Sequence, residues 1–271
     1  MGKVPKKLRP TEEAYSELQQ AYDFYNEHLF DNQLPPCMIT FQREKSTMGY
    51  FSAGRFVNRA GGKNTDEIAL NPEFFAVYPM IEILQTLVHE MVHLWQHHFG
   101  TPSRACYHNA EWATKMESIG LMPSDTGAPG GKRTGQKIAD YIAAGGRMEV
   151  VTKQLLASGF AITWFDRFPV APPSPHSYVS IRSQKLANEP STGEGTVDSP
   201  PPGTDESDAL YAAALRMPSP ETRESMGLQV RSPENRSNRD KYTCSGCALS
   251  VWGKPNLRIK CVDCDIELAA A

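Results

Sequence analysis

The stretch Thr86-Leu-Val-His-Glu-Met-Val-His93 contains the pattern H-E-x-x-H, formed by His89, Glu90 and His93. Apolar residues around it recur with the 3.6-residue period of a helix, which predicts one buried face and one polar face. Because residues four apart lie one above the other on a helix, both histidines can offer a nitrogen to one metal ion. The pattern is typical of zinc hydrolases, in which the metal lowers the pKa of a water and the glutamate takes its proton.

A catalytic zinc site of this kind needs a third protein ligand and one open position. A straight helix argues against His97, because it follows His89 by eight residues, a rise of about 12 Å. The third ligand should therefore come from elsewhere in the chain, and the sequence predicts a second helix over residues 108–119. His108 at the start of that helix is the leading candidate, and Glu111 one turn later is its rival. If His108 binds, Glu111 becomes a candidate for orienting an imidazole.

The segment before the metal-binding helix predicts another helix and a small sheet. The helix is expected over residues 11–30, and short strands are expected over 38–42, 49–57 and 67–70. We expect the strands to form an antiparallel sheet, in which an edge strand could pair with an extended peptide substrate. The sequence does not identify the edge strand. These elements predict an α+β fold with a zincin-like core.

The chain changes character after Pro123. A glycine-rich loop is predicted first, over residues 124–134. Helices over 136–144 and 150–157 and a strand over 159–165 should follow, with enough apolar residues to pack on the preceding core.

Residues 171–240 are rich in proline, serine and charge, with few large apolar side chains. Such a composition cannot bury enough apolar surface to offset the cost of ordering the chain, so it predicts a disordered linker. Within it, residues 209–217 are a candidate for a transient helix. Whatever follows the linker should be tethered to the preceding domain rather than fixed to it.

A second metal site is predicted near the C-terminus. Two C-x-x-C pairs, separated by thirteen residues, provide Cys244, Cys247, Cys261 and Cys264. Four thiolates complete a tetrahedral zinc shell and leave no open position, so this zinc ribbon should be structural. Two redox dithiols are the alternative, but the surrounding sequence has no thioredoxin-like βαβ pattern.

Two groups of side chains are candidates for contact with nucleic acid. The first is a basic arm at residues 1–10. The second lies between the cysteine pairs, where a tryptophan could stack on a base and cations could touch phosphates. A solvated tail and a surface hairpin with a packed tryptophan are the respective alternatives. The candidate residues are Lys3, Lys6, Lys7, Arg9, Trp252, Lys254, Arg258 and Lys260.

Composition limits the class of protein. The 271 residues carry a net charge of -3, and the pI is about 6.2, so any contact with DNA must be local. No apolar run is long enough to span a membrane. Residues 1–10 are rich in lysine and lack the apolar segment of a secretion signal. We therefore predict a cytoplasmic protein with no membrane partner, associated with the nucleoid if it is linked to DNA.

Three motifs resemble the SprT-like metalloprotease family: T-L-V-H-E-M-V-H, H-N-A-E-W and M-E-S-I-G-L. The resemblance covers roughly residues 11–123 and returns at the C-terminal ribbon, although a long insert separates the two parts here. It implies a zinc metalloendopeptidase that acts on a protein substrate. If it extends to the choice of substrate, the target is a protein bound or crosslinked to DNA. The implied zinc ligands are His89, His93 and His108, and the implied catalytic residue is Glu90.

The predictions combine into four segments and two zinc ions, one catalytic and one structural. The segments are a basic arm at 1–10, an SprT-like metalloprotease domain with a C-terminal extension at 11–170, a disordered linker at 171–240 and a zinc ribbon at 241–271.

Two other functions are compatible with the sequence. The first is a nucleic-acid-associated regulator of transcription or DNA maintenance, in which both zinc sites are structural. The intact Glu90 argues against it, because a structural site needs no carboxylate at that position. The second is a peptidase with no link to nucleic acid, which the acidic charge balance permits. The H-E-x-x-H pattern also has a simpler interpretation, an ordinary amphipathic helix with exposed histidines.

Overall fold

The chain divides into two compact units, Met1–Val230 and Arg231–Ala271. A computed structural model describes them over residues 9–44, 47–104, 107–171, 206–230 and 240–270. The first unit contains a large apolar core, and the second contains a small one around its cysteines. The mixture of helices and small sheets agrees with the predicted α+β class.

The first unit begins with the long helix α1, Pro10–Phe30, as predicted. Its first turn is well capped, because the proline needs no hydrogen-bond donor there and the Glu12 carboxylate accepts from the backbone N–H of Arg9 at 3.1 Å. The apolar side of α1 packs into the main core, where Tyr22 and Tyr25 are fully buried. The helix ends at Asp31, whose backbone is left-handed.

The predicted strands form a sheet with the order β1-β3-β2, where β1 is Met38–Phe41, β2 is Gly49–Val57 and β3 is Asn64–Leu70. The central strand β3 runs antiparallel to β2 but parallel to β1. The prediction of an antiparallel sheet is therefore wrong for β1. Residue alternation in short strands shows which face is buried, but it does not fix the direction of pairing. Among the strands that the structure describes, β1 and β2 lie at the two edges of this sheet.

Two predicted helices follow the sheet: α2, Met80–Phe99, and α3, Ala110–Ser118. The α3 helix starts where the Asn109 side chain accepts a hydrogen bond from the Trp112 backbone N–H at 3.0 Å. The α2 helix crosses close to the start of β2. A Cβ on Gly49 would lie 2.7 Å from the side chain of Thr86, so glycine is required where the strand meets the helix.

The chain after α3 differs from two predictions. Residues 136–144 do not form a helix; instead β5, Ala139–Ile142, pairs antiparallel with β4, Leu121–Ser124. Residues 159–165 do not form a strand. They run beside α1, where the backbone N–H of Thr163 donates to the Glu17 carboxylate at 2.9 Å. In both places long-range partners decide the structure, and the local apolar pattern does not reveal them.

The helix α4, Arg147–Ala157, agrees with the prediction, whereas residues 206–230 are more ordered than predicted, with the first of two helices overlapping the predicted transient helix at 209–217. Two helices, α5 at Glu206–Ala214 and α6 at Pro220–Ser225, lie within the segment predicted as a disordered linker. The α5 helix packs on α4, and Tyr211 is buried in the main core. An ion pair also joins the two helices, because the ammonium of Lys153 on α4 lies 2.5 Å from the carboxylate of Asp208 on α5. The rest of that segment lies outside the described residues.

We expect Tyr211→Ala to release α5 from α4. The side chain of Tyr211 is 3% exposed, whereas that of its neighbour Leu210 is 40% exposed. Truncating a buried aromatic residue typically costs about 3–5 kcal/mol of stability. Hydrogen exchange of residues 206–214 should therefore become much faster in Tyr211→Ala and stay nearly unchanged in Leu210→Ala. Equal protection in both variants would contradict this packing.

The second unit consists of short strands around four cysteines. Antiparallel pairing joins β6, Asp240–Thr243, to β7, Ser250–Gly253, and to β10, Ala269–Ala270. A separate hairpin joins β8, Lys260–Cys261, to β9, Ile266–Glu267. The buried part is small, so the strands alone offer little stabilisation.

Across the described part of the chain, no helix has the length and apolar character needed to cross a bilayer.

Candidate metal centres

The structure brings three of the predicted ligands together in the first unit. His89 and His93 lie one turn apart on α2, and His108 lies just before α3. One ring nitrogen from each histidine lies within 4.8 Å of those of the other two. The Nε2 atoms of His93 and His108 are 3.1 Å apart. Ligands on a tetrahedral zinc ion are about 3.3 Å apart, so these nitrogens converge at a spacing that suits zinc.

Glu111 was considered as the third ligand or as a group that orients an imidazole, and it has neither position in the structure. Its carboxylate accepts hydrogen bonds from the Gln96 side chain and from the Thr101 backbone N–H, both at 2.7 Å. These contacts hold the carboxylate against the end of α2. A Cβ on Gly100 would lie 2.5 Å from the same carboxylate, so a larger residue there would displace it. Glu111 therefore stabilises the turn between the helices and orients no imidazole.

Other groups orient the imidazoles. Asp140, on β5, accepts a hydrogen bond from Nδ1 of His89 at 2.9 Å, and its second oxygen accepts from the Gln85 side chain at 2.9 Å. The backbone carbonyl of Gly135 lies 3.2 Å from Nδ1 of His108. Partners of this kind fix the ring so that the other nitrogen faces the metal. Neither was predicted, because Asp140 was assigned to a helix and Gly135 to a loop boundary.

Trp112 forms the floor of this site. Its ring is fully buried, and it stacks on His93 with centroids 5.3 Å apart and contacts His108 edge-on at 4.3 Å. The same ring lies 4.9 Å from that of His89. Packing against one large, rigid side chain restricts the rotamers of all three histidines.

The surroundings of His93 and His108 favour the neutral form of the imidazole, which is the form that binds a metal. Burial, with the nearby histidines, lowers the pKa of His93 to about 2 and the pKa of His108 to about 4. Both rings are therefore neutral at physiological pH, which is the form that coordinates a metal. Burial also opposes protonation of His89, but the hydrogen bond to Asp140 and the charge of Glu90 raise its pKa. Three imidazoles held in this way fit a zinc ion with one open position.

Glu90 lies beside the histidines and is 7% exposed. Burial raises the pKa of its carboxyl group, with a further contribution from the charge of Asp140. The positive charge of His89 and the backbone N–H of Phe51, on β2, act in the opposite direction and lower the pKa. A carboxylate with a raised pKa can take up and release a proton near neutral pH.

The second unit contains the predicted four-cysteine cluster. The sulfur atoms of Cys244, Cys247, Cys261 and Cys264 lie within 4.8 Å of one another, and none is in a disulfide. Backbone N–H groups of Cys247 and Gly246 lower the pKa of Cys244 to about 7. Such backbone donors favour the thiolate that binds zinc. The geometry is consistent with a closed zinc site.

The structure describes some of the candidate nucleic-acid contacts and not others. Lys3, Lys6 and Lys7 lie outside the described residues, and Arg9 is exposed at the start of α1. In the second unit Trp252 is 64% exposed, so it is not the packed tryptophan of the alternative interpretation.

The cations near Trp252 differ in their surroundings. Arg258 pairs with Glu267 at 2.8 Å, and Lys260 pairs with Asp265 at 2.5 Å. Lys254 is exposed, and its backbone carbonyl accepts from the Tyr242 hydroxyl. Intramolecular ion pairs reduce what Arg258 and Lys260 can offer to a phosphate.

We expect Asp140→Asn to weaken metal binding. The asparagine oxygen can accept only one of the two hydrogen bonds that the carboxylate accepts, because its other group is a donor. Loss of such an orienting partner typically lowers metal affinity about 10- to 100-fold. Competition with a zinc chelator measures the change, and Asp23→Asn on the exposed side of α1 is the matched control. Equal affinity in wild type and Asp140→Asn would contradict this role.

The first unit thus combines an H-E-x-x-H helix, a third histidine from the next helix and a buried glutamate, an arrangement of the metallopeptidase-like class. Residues 18–132 match the model of the SprT-like family, and the chain belongs to that family. A 59-residue stretch is 64% identical to the "Uncharacterized protein in mucB 3'region" of Salmonella typhimurium, covering 22% of this chain and 80% of that protein. No solved structure matches the chain.

Proposed function

We propose that the protein is a zinc-dependent metalloendopeptidase with a zincin-like core and a separate structural zinc ribbon. The observation that carries the proposal is the convergence of His89, His93 and His108 beside the buried carboxyl group of Glu90. Membership of the SprT-like family supports a metallopeptidase-like function. A purely structural metal site would not require a carboxylate whose pKa is raised by burial.

The residues of the site have distinct roles in peptide hydrolysis. A zinc ion held by the three histidines would lower the pKa of a water and polarise the peptide carbonyl. Glu90 accepts the proton of the attacking water and later delivers it to the leaving amine. Asp140 keeps the His89 ring in its binding orientation through the 2.9 Å hydrogen bond. Trp112 holds the three rings from below and keeps water away from that side.

The edge strand β2 is suited to hold the substrate. In the described part of the chain β2 pairs only with β3, so its other edge carries unpaired backbone groups. The N–H of Phe51 points to that free edge, because the Asn71 N–H donates to the Met48 carbonyl and hydrogen-bonded pairs alternate along an antiparallel ladder. An extended peptide that adds to this edge would pass next to the catalytic groups.

The substrate class that we propose is protein bound or crosslinked to DNA. The proposal rests on the family and on the exposed Trp252, which could stack on an unpaired base. Lys254 beside it and the basic arm at residues 1–10 would supply phosphate contacts. Such a protease would work in the cytoplasm, on the nucleoid.

Cleavage of one protein with and without a covalent DNA oligonucleotide tests this substrate class. We expect full-length, zinc-loaded enzyme to cut the crosslinked protein faster than the free protein. Trp252→Ala should slow cleavage of the crosslinked form and leave the free form unchanged. Leu249→Ala, at another exposed apolar position of the second unit, is the matched control.

Two other outcomes correspond to the alternative functions. Equal cleavage of the free and crosslinked proteins, unaffected by Trp252→Ala, would indicate a peptidase without a nucleic-acid link. Tight, salt-sensitive DNA binding without cleavage of either protein would indicate a regulator with structural metal sites.

A further inference from the structure

A second cluster of metal-ligating side chains lies in the first unit, outside the three-histidine site. It consists of Asp66 on β3 and of His97 and His98 in the last turn of α2. One donor atom from each of these side chains lies within 4.8 Å of those of the other two. The cluster shares no residue with the centre formed by His89, His93 and His108, and it plays no part in the proposed hydrolysis.

Asp66 is held in place by the sheet. The carboxylate is buried, and one of its oxygens accepts a hydrogen bond from the backbone N–H of Gly54 at 2.7 Å. Gly54 occupies an irregularity of β2 between Ser52 and Phe56, where its backbone is left-handed. The glycine is therefore required for the conformation that directs this N–H to Asp66. The irregular strand leaves the second carboxylate oxygen facing the end of α2.

The two histidines face that second oxygen from the helix. Nε2 of His98 donates a hydrogen bond to it at 2.7 Å. The rings of His97 and His98 are 4.9 Å apart and nearly perpendicular. In the described part of the chain the His97 ring makes no hydrogen bond. Both histidines are exposed, so their rings are free to adjust.

The donor set fits a transition-metal ion. Two imidazoles and one carboxylate are ligands that zinc commonly takes, with further positions left for water. Ligand atoms on tetrahedral zinc are about 3.3 Å apart, so the oxygen of Asp66 and the nitrogen of His98 need to separate by less than about 1 Å. The buried, fixed carboxylate supplies the anchor, and the exposed rings can close on the ion.

We propose that Asp66, His97 and His98 form a second binding site for a divalent transition-metal ion, for which zinc is the best match. The ion would join the central strand β3 to the last turn of α2. The ring of His97 lies 5.8 Å from that of Phe51, so the ion would also lie near strand β2. Because two of its ligands are exposed, this site should bind more weakly than the three-histidine centre.

Metal content of the full chain under buffered free zinc tests the proposal. As free zinc is raised stepwise, wild type should bind a third ion per chain after the three-histidine and four-cysteine sites are filled. The double variant His97→Gln/His98→Gln should stop one ion short of wild type. His28→Gln is the matched control, since His28 is a partly exposed helical histidine outside both clusters.

Two further variants make the result decisive. Asp66→Asn should also stop one ion short of wild type. Adding His93→Ala to the double variant should remove one more ion, and this second loss would show that the two sites are separate. Thermal unfolding shows that each variant is folded. The melting temperature without added metal should stay near that of wild type, because the amide introduced by His98→Gln can still donate to Asp66. The same ion count in wild type and in a folded His97→Gln/His98→Gln variant would overturn the proposal.

Discussion

Glu90→Gln should abolish proteolysis while zinc content stays at the wild-type level. The amide keeps the size of the side chain, but it cannot accept a proton from water. General base catalysis typically contributes about 10²- to 10⁴-fold, so the cleavage rate should fall by at least that order. Because the histidines, and not Glu90, supply the converging nitrogens, the metal should remain bound. Initial rates on a protein substrate and zinc per chain measure both effects.

The matched control for this variant is Glu82→Gln, on the same helix two turns earlier. It makes the same chemical change at a site away from the histidines, and it should keep both activity and zinc. Wild-type cleavage by Glu90→Gln would remove the proposed mechanism. Loss of zinc along with activity would instead give Glu90 a role in holding the site together.

Cys261→Ser should unfold the second unit and leave the first intact. The apolar core of the second unit is limited to a few residues, among them Tyr242 and Leu268. Structural zinc sites contribute on the order of 10–16 kcal/mol of binding free energy to folding, far more than so small a core provides. Backbone amides of residues 240–270 should therefore lose protection from hydrogen exchange, whereas those of α1 and α2 should keep it.

Cys37→Ser is the control for this variant. Cys37 lies in the first unit and belongs to none of the metal-ligating groups found among the described residues. We expect this variant to keep both the metal content and the protection of residues 240–270. A second unit that remained protected in Cys261→Ser, or in a strong chelator, would show that its strands are stable without metal.

The sequence predicts the metal-binding helix well because two independent patterns agree on it. The apolar period places the core face of α2, and the four-residue spacing places His89 and His93 on the other face. The third histidine follows from the break between the helices and from the family resemblance. Local signals of this kind survive folding because the helix satisfies its own backbone hydrogen bonds.

Asp140 shows why the rest of the site could not be predicted. The four-residue strand that carries it is too short for its apolar pattern to separate strand from helix. Its conformation depends on pairing with β4, where Met122 lies opposite Tyr141. No spacing in the sequence connects Asp140 to His89, fifty-one residues earlier.

Residues 206–230 show that amino-acid composition alone does not decide whether a segment is ordered. The surrounding segment is rich in proline and charge, which predicts disorder with only a transient helix at 209–217. A nine-residue helix can nevertheless be ordered if it buries one or two side chains on a neighbouring surface, as α5 does through Tyr211 and Ala214. Most helix stability in proteins comes from such packing rather than from the segment itself.

Zinc content and proteolytic rate, measured on one preparation of the full chain after loosely held metal is removed, test the central claim most directly. Wild type should contain two zinc ions per chain and cleave protein. His108→Ala should contain one ion and cleave nothing, whereas Glu111→Ala should keep both ions and its activity. A His108→Ala protein that retains two ions and cleaves at the wild-type rate would contradict the three-histidine centre.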